Sequence, residues 1–322
     1  MTESAPRIAF LGPVGTFTEQ AVHSQPDFAA AELVPYASMS DVLFAVAEGE
    51  VDLGVVAVEN AIEGTVNVTV DHLAFDVDLL IQREIVLAVQ MSLMTRPGVA
   101  IEAIKKVLTI PVAWAQCREW MRQHLPAAEL VATGSTAEAA EMVASSADDT
   151  VAALANDRAA EVYGLSVLAA DIEDHPENQT RFVAVSRSGV PAATGHDKTS
   201  IVVFQQADVP GSLLAILQEF AARRINLSLL LSRPTKHRLG DYCFVVDLDG
   251  HIDDVVVADC LRALKSKQAD VKFLGSYPAA GSAAPEARRE ASDAEKNAQA
   301  WVDGLRARTD DGPERSGGTF HQ

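Results

Sequence analysis

The stretch Ala170–Val185, "ADIEDHPENQTRFVAV", decides how the rest of the chain is read. An acidic, proline-containing run gives way to a β-branched apolar segment. At the junction stand an amide, a hydroxyl and a guanidinium: Asn178, Thr180 and Arg181. Upstream, short apolar runs alternate with helical patterns: "RIAFLG" then "TEQAVHSQ", "KKVLTI" then "AWAQCREWMRQHL", "ELVATG" then "STAEAAEMVASS", "VAALAN" then "RAAEVYG". Apolar runs bounded by glycine and followed by segments of period 3.6 are the pattern of parallel α/β sheets. The block Ile85–Leu93 falls where a first lobe hands over to a second, and "ADIEDHPENQTRFVAV" reads as the chain coming back. Two crossings form a hinge with a cleft between the lobes. The expected lobes are about 7–81 with 168–187, and about 82–167.

A polar linker, "SRSGVPAATGHDK", leads to a different texture. There "TSIVVFQQ" reads as a strand, "GSLLAILQEFAARR" as a helix, "INLSLLLSRP" and "DYCFVVDLDG" as strands, "DDVVVADCLRALKSK" as a helix and "DVKFLGSY" as a strand. The order βαββαβ is a ferredoxin-like split unit, expected over 199–277. In the remaining segment, 278–322, Ala294, Ala298, Trp301, Val302 and Leu305 share one side of an amphipathic helix. Disorder is expected after Arg308.

Composition limits the function classes. The 322 residues, 48% of them hydrophobic, suffice for two or three cores. No run of about 18 uncharged apolar residues occurs, and "MTESAPRIAF" lacks the features of a signal peptide, so a cytoplasmic protein is expected. Cys117, Cys243 and Cys260 are odd in number and far apart, which reads as buried thiols. The net charge of −19 argues against a nucleic-acid or anionic-membrane surface, and any anionic ligand must be held locally. The sequence has no H-E-x-x-H, C-x-x-C, G-x-S-x-G or P-loop pattern.

Four stretches carry polar groups to strand ends. In "FLGPVGTFTEQAV", Gly15 turns the backbone and a helix begins around Thr16 to Glu19, so free N–H groups point above the strand ends. An ordinary strand-to-helix turn accounts for the same residues. Only Gly12 and Gly15 of a dinucleotide fingerprint are present, which discounts Glu32 as a ribose-binding acid. "VVAVENAIEGTVNVTVDHL" delivers Glu59 and Asn60 at a strand's carboxyl end. "VLTIPVAWAQC" puts Thr109 at a strand end and Gln116 within the following helix, and "TGSTAEAA" sets Ser135 and Thr136 at a helix start, where capping alone explains them. "ENQTRF" then adds Asn178, Thr180 and Arg181 just before a strand expected over Phe182–Val185.

Together "GPVGTFTEQA", "AVENAIEGTV" and "NQTRF" resemble the G-P-x-G-T-F-S, V-E-N-S-x-x-G and T-R-F motifs of the prephenate dehydratase family, and the βαββαβ segment resembles the regulatory ACT domain that follows them. The resemblance spans about Arg7 to Tyr277. It implies a two-lobed, periplasmic-binding-protein-like α/β domain followed by the ACT domain. It also implies decarboxylation and dehydration of prephenate to phenylpyruvate, for which no metal or redox cofactor is required. Thr180 would donate to the leaving hydroxyl, with Asn60 and Gln116 beside it. Gly15, Thr16, Phe17, Thr109, Ser135, Thr136, Asn178, Arg181 and Phe182 would bind substrate. Arg181 either clamps a carboxylate or braces the cleft from behind.

The chain departs from the family at Ala57 and Ala61, which replace a proline and a serine, so a hydroxyl contact is missing or comes from Thr65 or Thr69. In the second domain Leu231 of "LSRP" replaces an acid. By the same resemblance L-phenylalanine, as regulator, would contact Pro210, Gly211, Ser212, Leu213, Leu214, Asn226, Leu227, Leu231 and Ser232. A homodimer through these domains, or a homotetramer, would result. Two other classes share features: a cytoplasmic amino-acid sensor would keep cleft and ACT domain without needing Thr180, and a nicotinamide dehydrogenase is opposed by the broken glycine pattern.

Overall fold

The computed structural model describes residues 5–205, 209–235, 241–268, 270–281 and 300–307. The chain divides into two compact units. One takes in residues up to Ala192 together with Ser200–Val202 and Lys272–Gly281, the other Ala193–Thr199 and Val203–Val271.

The first unit starts with β1 (Arg7–Leu11), α1 (Phe17–His23), β2 (Glu32–Tyr36), α2 (Met39–Glu48) and β3 (Leu53–Asn60). Next come β4 (Gly64–Thr65), α3 (Asn67–Asp71) and β5 (Leu80–Ala88). Local chemistry sets these ends: Ser38 caps α2 by accepting from the Asp41 N–H, and Gly49 closes it in the left-handed conformation at φ 81°. A second series follows: β6 (Ser92–Thr95), β7 (Lys106–Thr109), α4 (Pro111–Gln116), α5 (Arg118–His124) and β8 (Glu129–Ala132). It ends with α6 (Thr136–Ser145), β9 (Val151–Ala155), α7 (Asp157–Tyr163) and β10 (Ser166–Ala169). The chain then returns as β11 (Gln179–Ser186).

Two sheets result, of order β2-β1-β3-β11-β5, with β4 on β3, and β10-β6-β9-β7-β8. The returning strand inserts between β3 and β5 and runs antiparallel to both, while β1 is parallel to its neighbours β2 and β3. The expected parallel sheets are therefore mixed, because a strand that re-enters after a visit to the other lobe arrives from the opposite direction. The first sheet also reaches past the boundary expected at residue 81: β5 belongs to it, so the outward crossing is Val89–Met91 and the return is 170–178. Ile8, Phe10, Val55, Ile85 and Phe182 form the core of the first lobe, and Leu93, Val107, Cys117, Met121 and Leu154 part of the second.

The remaining elements follow the order read from sequence: β12 (Asp197–Phe204), α8 (Ser212–Ala222), β13 (Leu227–Pro234), β14 (Tyr242–Asp249), α9 (Val255–Lys267) and β15 (Asp270–Pro278). Their sheet has the order β13-β14-β12-β15, so β13 is an edge. Residues 300–307 are helical and Trp301 is exposed. Ala294, Ala298 and the tail after Arg308 lie outside the described residues.

Candidate active site

The site begins with a defect in a ladder. Along β11, Thr180 faces Asn60 and Arg181 faces Glu59, but Phe182 faces Ala57, so Val58 is the extra residue of a bulge in β3. Regular alternation would send residues 57 and 60 to opposite sides of the sheet. The bulge brings Ala57 and Asn60 onto one side, where they line a cavity with Thr180 and Phe182. Thr180 and Arg181 are thus, like Phe182, residues within a strand paired on both sides, not the residues just before one.

The Asn60 amide has a single consistent orientation. Its Oδ1 accepts from the Ile62 and Glu63 N–H groups at 3.0 and 2.9 Å, which fixes which end is oxygen. Its Nδ2 then donates to Thr180 Oγ1 at 2.9 Å. Because that bond occupies an acceptor position of Thr180, the threonine retains its own proton for donation.

The cavity has a volume of about 210 Å³. Phe17 and Thr18 of α1, Val89 and Met91 of the outward crossing, and Ile110, Val112, Ala113 and Gln116 in and around α4 line it, together with Thr136 of α6 and Glu63. This is a mostly apolar wall with a few polar groups, the usual makeup of a small-molecule site. Among the described lining residues none is Lys, Arg or His. Recognition of a charged ligand there falls to amides, hydroxyls and backbone N–H groups.

Of the residues singled out in the sequence, Asn60, Gln116, Thr180, Phe17, Thr136 and Phe182 meet at this cavity. Others lie elsewhere, each for a visible reason. Thr109 is fully buried and its hydroxyl donates to the Leu154 carbonyl at 2.8 Å. Ser135 caps α6 by accepting from the Glu138 N–H. Thr16 caps α1, and the Gly15 N–H is taken by the carboxylate of Glu19, itself paired with Arg158 at 3.0 Å. The expected anion position at this turn is therefore filled by the chain's own acid. Asn178 is buried beside Gln116, its Nδ2 3.5 Å from Gln116 Oε1, and its Oδ1 has no hydrogen-bond partner among the described residues. Arg181 does not line the cavity; its Nε lies 2.5 Å from Glu84 and its Nη1 4.0 Å from Glu59. Ala61, Thr65 and Thr69 are also absent from the lining, and Thr69 donates to Met39 Sδ.

Sequence reading missed Thr18, Glu63, Val89 and Met91. The last two had a signal, since they fall in the block expected to join the lobes. Glu63 follows Asn60 closely enough for the turn that orients the amide to bring it along.

In the βαββαβ unit, Gly211 precedes α8 at φ 90°, a left-handed conformation suited to glycine, and Ser212 Oγ donates to Gln205 at 3.0 Å. Leu213 is partly buried and Leu214 exposed. Asn226 donates to Asp249 at 2.7 Å, while Leu227, Leu231 and Ser232 lie on β13, with Leu231 opposite Val245.

Comparison with known proteins bears on both units. The sequence profile of the prephenate dehydratase family matches residues 8–190, and that of the ACT domain matches 199–266. Prephenate dehydratase from Mycolicibacterium vanbaalenii is 43% identical over 318 residues, covering 94% of this chain and 98% of its own. The crystal structure of prephenate dehydratase in complex with L-Phe from Arthrobacter aurescens superposes with a TM-score of 0.83 at 42% identity, covering 93% of this chain and 99% of that one. The Staphylococcus aureus enzyme superposes with a TM-score of 0.73 at 31% identity, covering 84% and 99%.

Proposed function

The chain belongs to the prephenate dehydratase family, and from that premise we propose that the cavity beside Thr180 takes prephenate and converts it to phenylpyruvate. The observation that carries the proposal is the Asn60–Thr180 hydrogen bond, in which an oriented amide leaves a hydroxyl with its proton to give. Cleavage of the ring-carboxylate C–C bond supplies an electron pair to the ring, the C–O bond of the ring hydroxyl breaks, and the departing oxygen takes a proton to leave as water. Carbon dioxide is the other product. Gain of an aromatic ring drives the step, so what the protein adds is a donor at the leaving oxygen and fixed dipoles around the charges. Thr180 is the donor and regains its proton from solvent. Gln116 and Thr136 offer further hydrogen bonds to the substrate, and Phe17, Met91 and Phe182 keep water away from the ring. Arg181, held between carboxylates, acts as the brace rather than the clamp.

The Arthrobacter relative was solved with L-Phe, and this supports the amino acid as the regulator here. It would bind at the start of α8, around Pro210, Gly211, Ser212, Leu213 and Leu214, with Asn226, Leu227, Leu231 and Ser232 nearby. The edge strand β13 leaves a row of backbone groups for a second copy, which supports the homodimer. No described helix is long and apolar enough to cross a membrane, consistent with a cytoplasmic enzyme. A sensor would have no use for the oriented hydroxyl. The test is phenylpyruvate formation from prephenate by the purified protein, with and without L-phenylalanine. Turnover that responds to phenylalanine supports both parts, whereas bound prephenate without product would restore the sensor.

A further inference from the structure

Arg181 sits behind the site. Strand alternation turns it to the sheet face away from Thr180, and the register sets Glu59 opposite it and Glu84 opposite Val183, on that same face. Its Nη2 donates to Tyr277 Oη at 3.0 Å. Tyr277 is fully buried, and its oxygen lies 2.6 Å from Ser200 Oγ. Glu84 is held from its other oxygen by the Ala280 N–H at 2.8 Å. These partners come from Lys272–Gly281 and Ser200–Val202, which belong to the same compact unit as β3, β5 and β11 although they lie outside residues 8–190. The segment is closely seated: a Cβ on Gly275, whose φ is +135°, would stand 2.6 Å from the Ile81 carbonyl oxygen.

The guanidinium therefore ties its own strand, β11, to β3, β5 and β15 one residue from the Thr180–Asn60 rung. We propose that Tyr277 is a positioning residue for the dehydration. Its phenol fixes Arg181 against Glu84 and Glu59, and this fixes the rung that aims the Thr180 hydroxyl. The inference rests on Thr180 as the donor. Catalytic groups need placement within about 0.5 Å, so a rung that shifts when its brace loosens loses rate before it loses affinity. Tyr277 touches no substrate in this account and acts only through Arg181.

The test uses the full chain and steady-state kinetics on prephenate. Tyr277→Phe keeps the buried ring and removes only the hydroxyl; it is expected to lower kcat about tenfold with KM changed by less than about twofold. Ser200→Ala, which removes one of the phenol's two partners named above, is expected to act in the same direction but less. If Tyr277 works through Arg181, then Tyr277→Phe adds little in an Arg181→Lys background, since effects routed through one group are not additive. Leu274→Val, a buried change on β15, serves as the stability control. Wild-type kcat in Tyr277→Phe, or a loss reproduced by Leu274→Val at an equal shift in Tm, overturns the inference alone provided that Thr180→Val is crippled in the same assay. Wild-type turnover by Thr180→Val overturns the donor reading and this inference with it.

Discussion

A threonine hydroxyl has one proton and two lone pairs, and what Thr180 can do depends on which of these are engaged. Asn60 fills an acceptor position, and the two backbone N–H groups that orient Asn60 come from the turn immediately after β3. Short motifs made this much legible, because Asn60 was picked out at a strand's carboxyl end, Thr180 just before a strand and Gln116 within a helix that follows one, and the family resemblance joined them. Thr109 and Ser135 looked equivalent on that logic. A sequence does not show that one hydroxyl is spent on the Leu154 carbonyl and the other on a helix cap. The cysteines were read as buried thiols, and all three are buried. Burial, helped by Asp174 and Glu173, pushes the Cys117 thiol up to about 12, and burial pushes Cys260 up to about 11. A thiol reagent at pH 8 should find essentially no reactive cysteine in the native protein and all three after denaturation. Folded, Cys117 and Cys260 keep their protons where an unfolded thiol, with a value near 9.0, loses them. Their contribution to stability should thus decline as pH rises above about 9, seen as a falling denaturant midpoint.

At the level of elements, most helices and strands were legible because burial imposes periods of 3.6 and 2 on the apolar residues. Sheet direction was not. β11 reads locally like any buried strand, and only the path of the whole chain makes it antiparallel between β3 and β5. The bulge at Val58 was also hidden, since the register of a distant partner creates it. Gly15 was noticed for a turn and an anion, yet its demand is different. At φ +92° a side chain is strained, and a Cβ there would stand 3.2 Å from Ala159 Cα and from the Tyr163 ring. Gly15→Ala should destabilise the protein by about 1–3 kcal/mol, measured by denaturant unfolding, because it combines left-handed strain with a close approach to α7. An unchanged midpoint would mean that the turn relaxes freely.

For the whole molecule, the division into a two-lobed α/β part and a βαββαβ part was visible as a change in texture near residue 190. What the sequence could not convey is that Ser200–Val202 and Lys272–Gly281 cluster with the first unit. Those contacts are made by side chains and backbone far from the motifs, such as Lys272 Nζ donating to the Leu73 and Val77 carbonyls. Charge is also a property of this scale. A protein of net charge −19 repels a dianionic substrate at long range. Raising ionic strength from about 0.01 to 0.15 M shortens the screening length from about 30 to 8 Å, so kcat/KM for prephenate should rise over that range. A fall would point to a local positive field that dominates approach.

The central claim is that Thr180 supplies its proton to the leaving oxygen in the transition state. The measurement is kcat for phenylpyruvate formation by Thr180→Val, an isosteric change without the hydroxyl, with prephenate affinity determined separately by equilibrium binding. A loss of about 10²-fold or more in kcat with binding kept within about threefold is the predicted result. Turnover at the wild-type rate would contradict it and remove Thr180 from the chemistry.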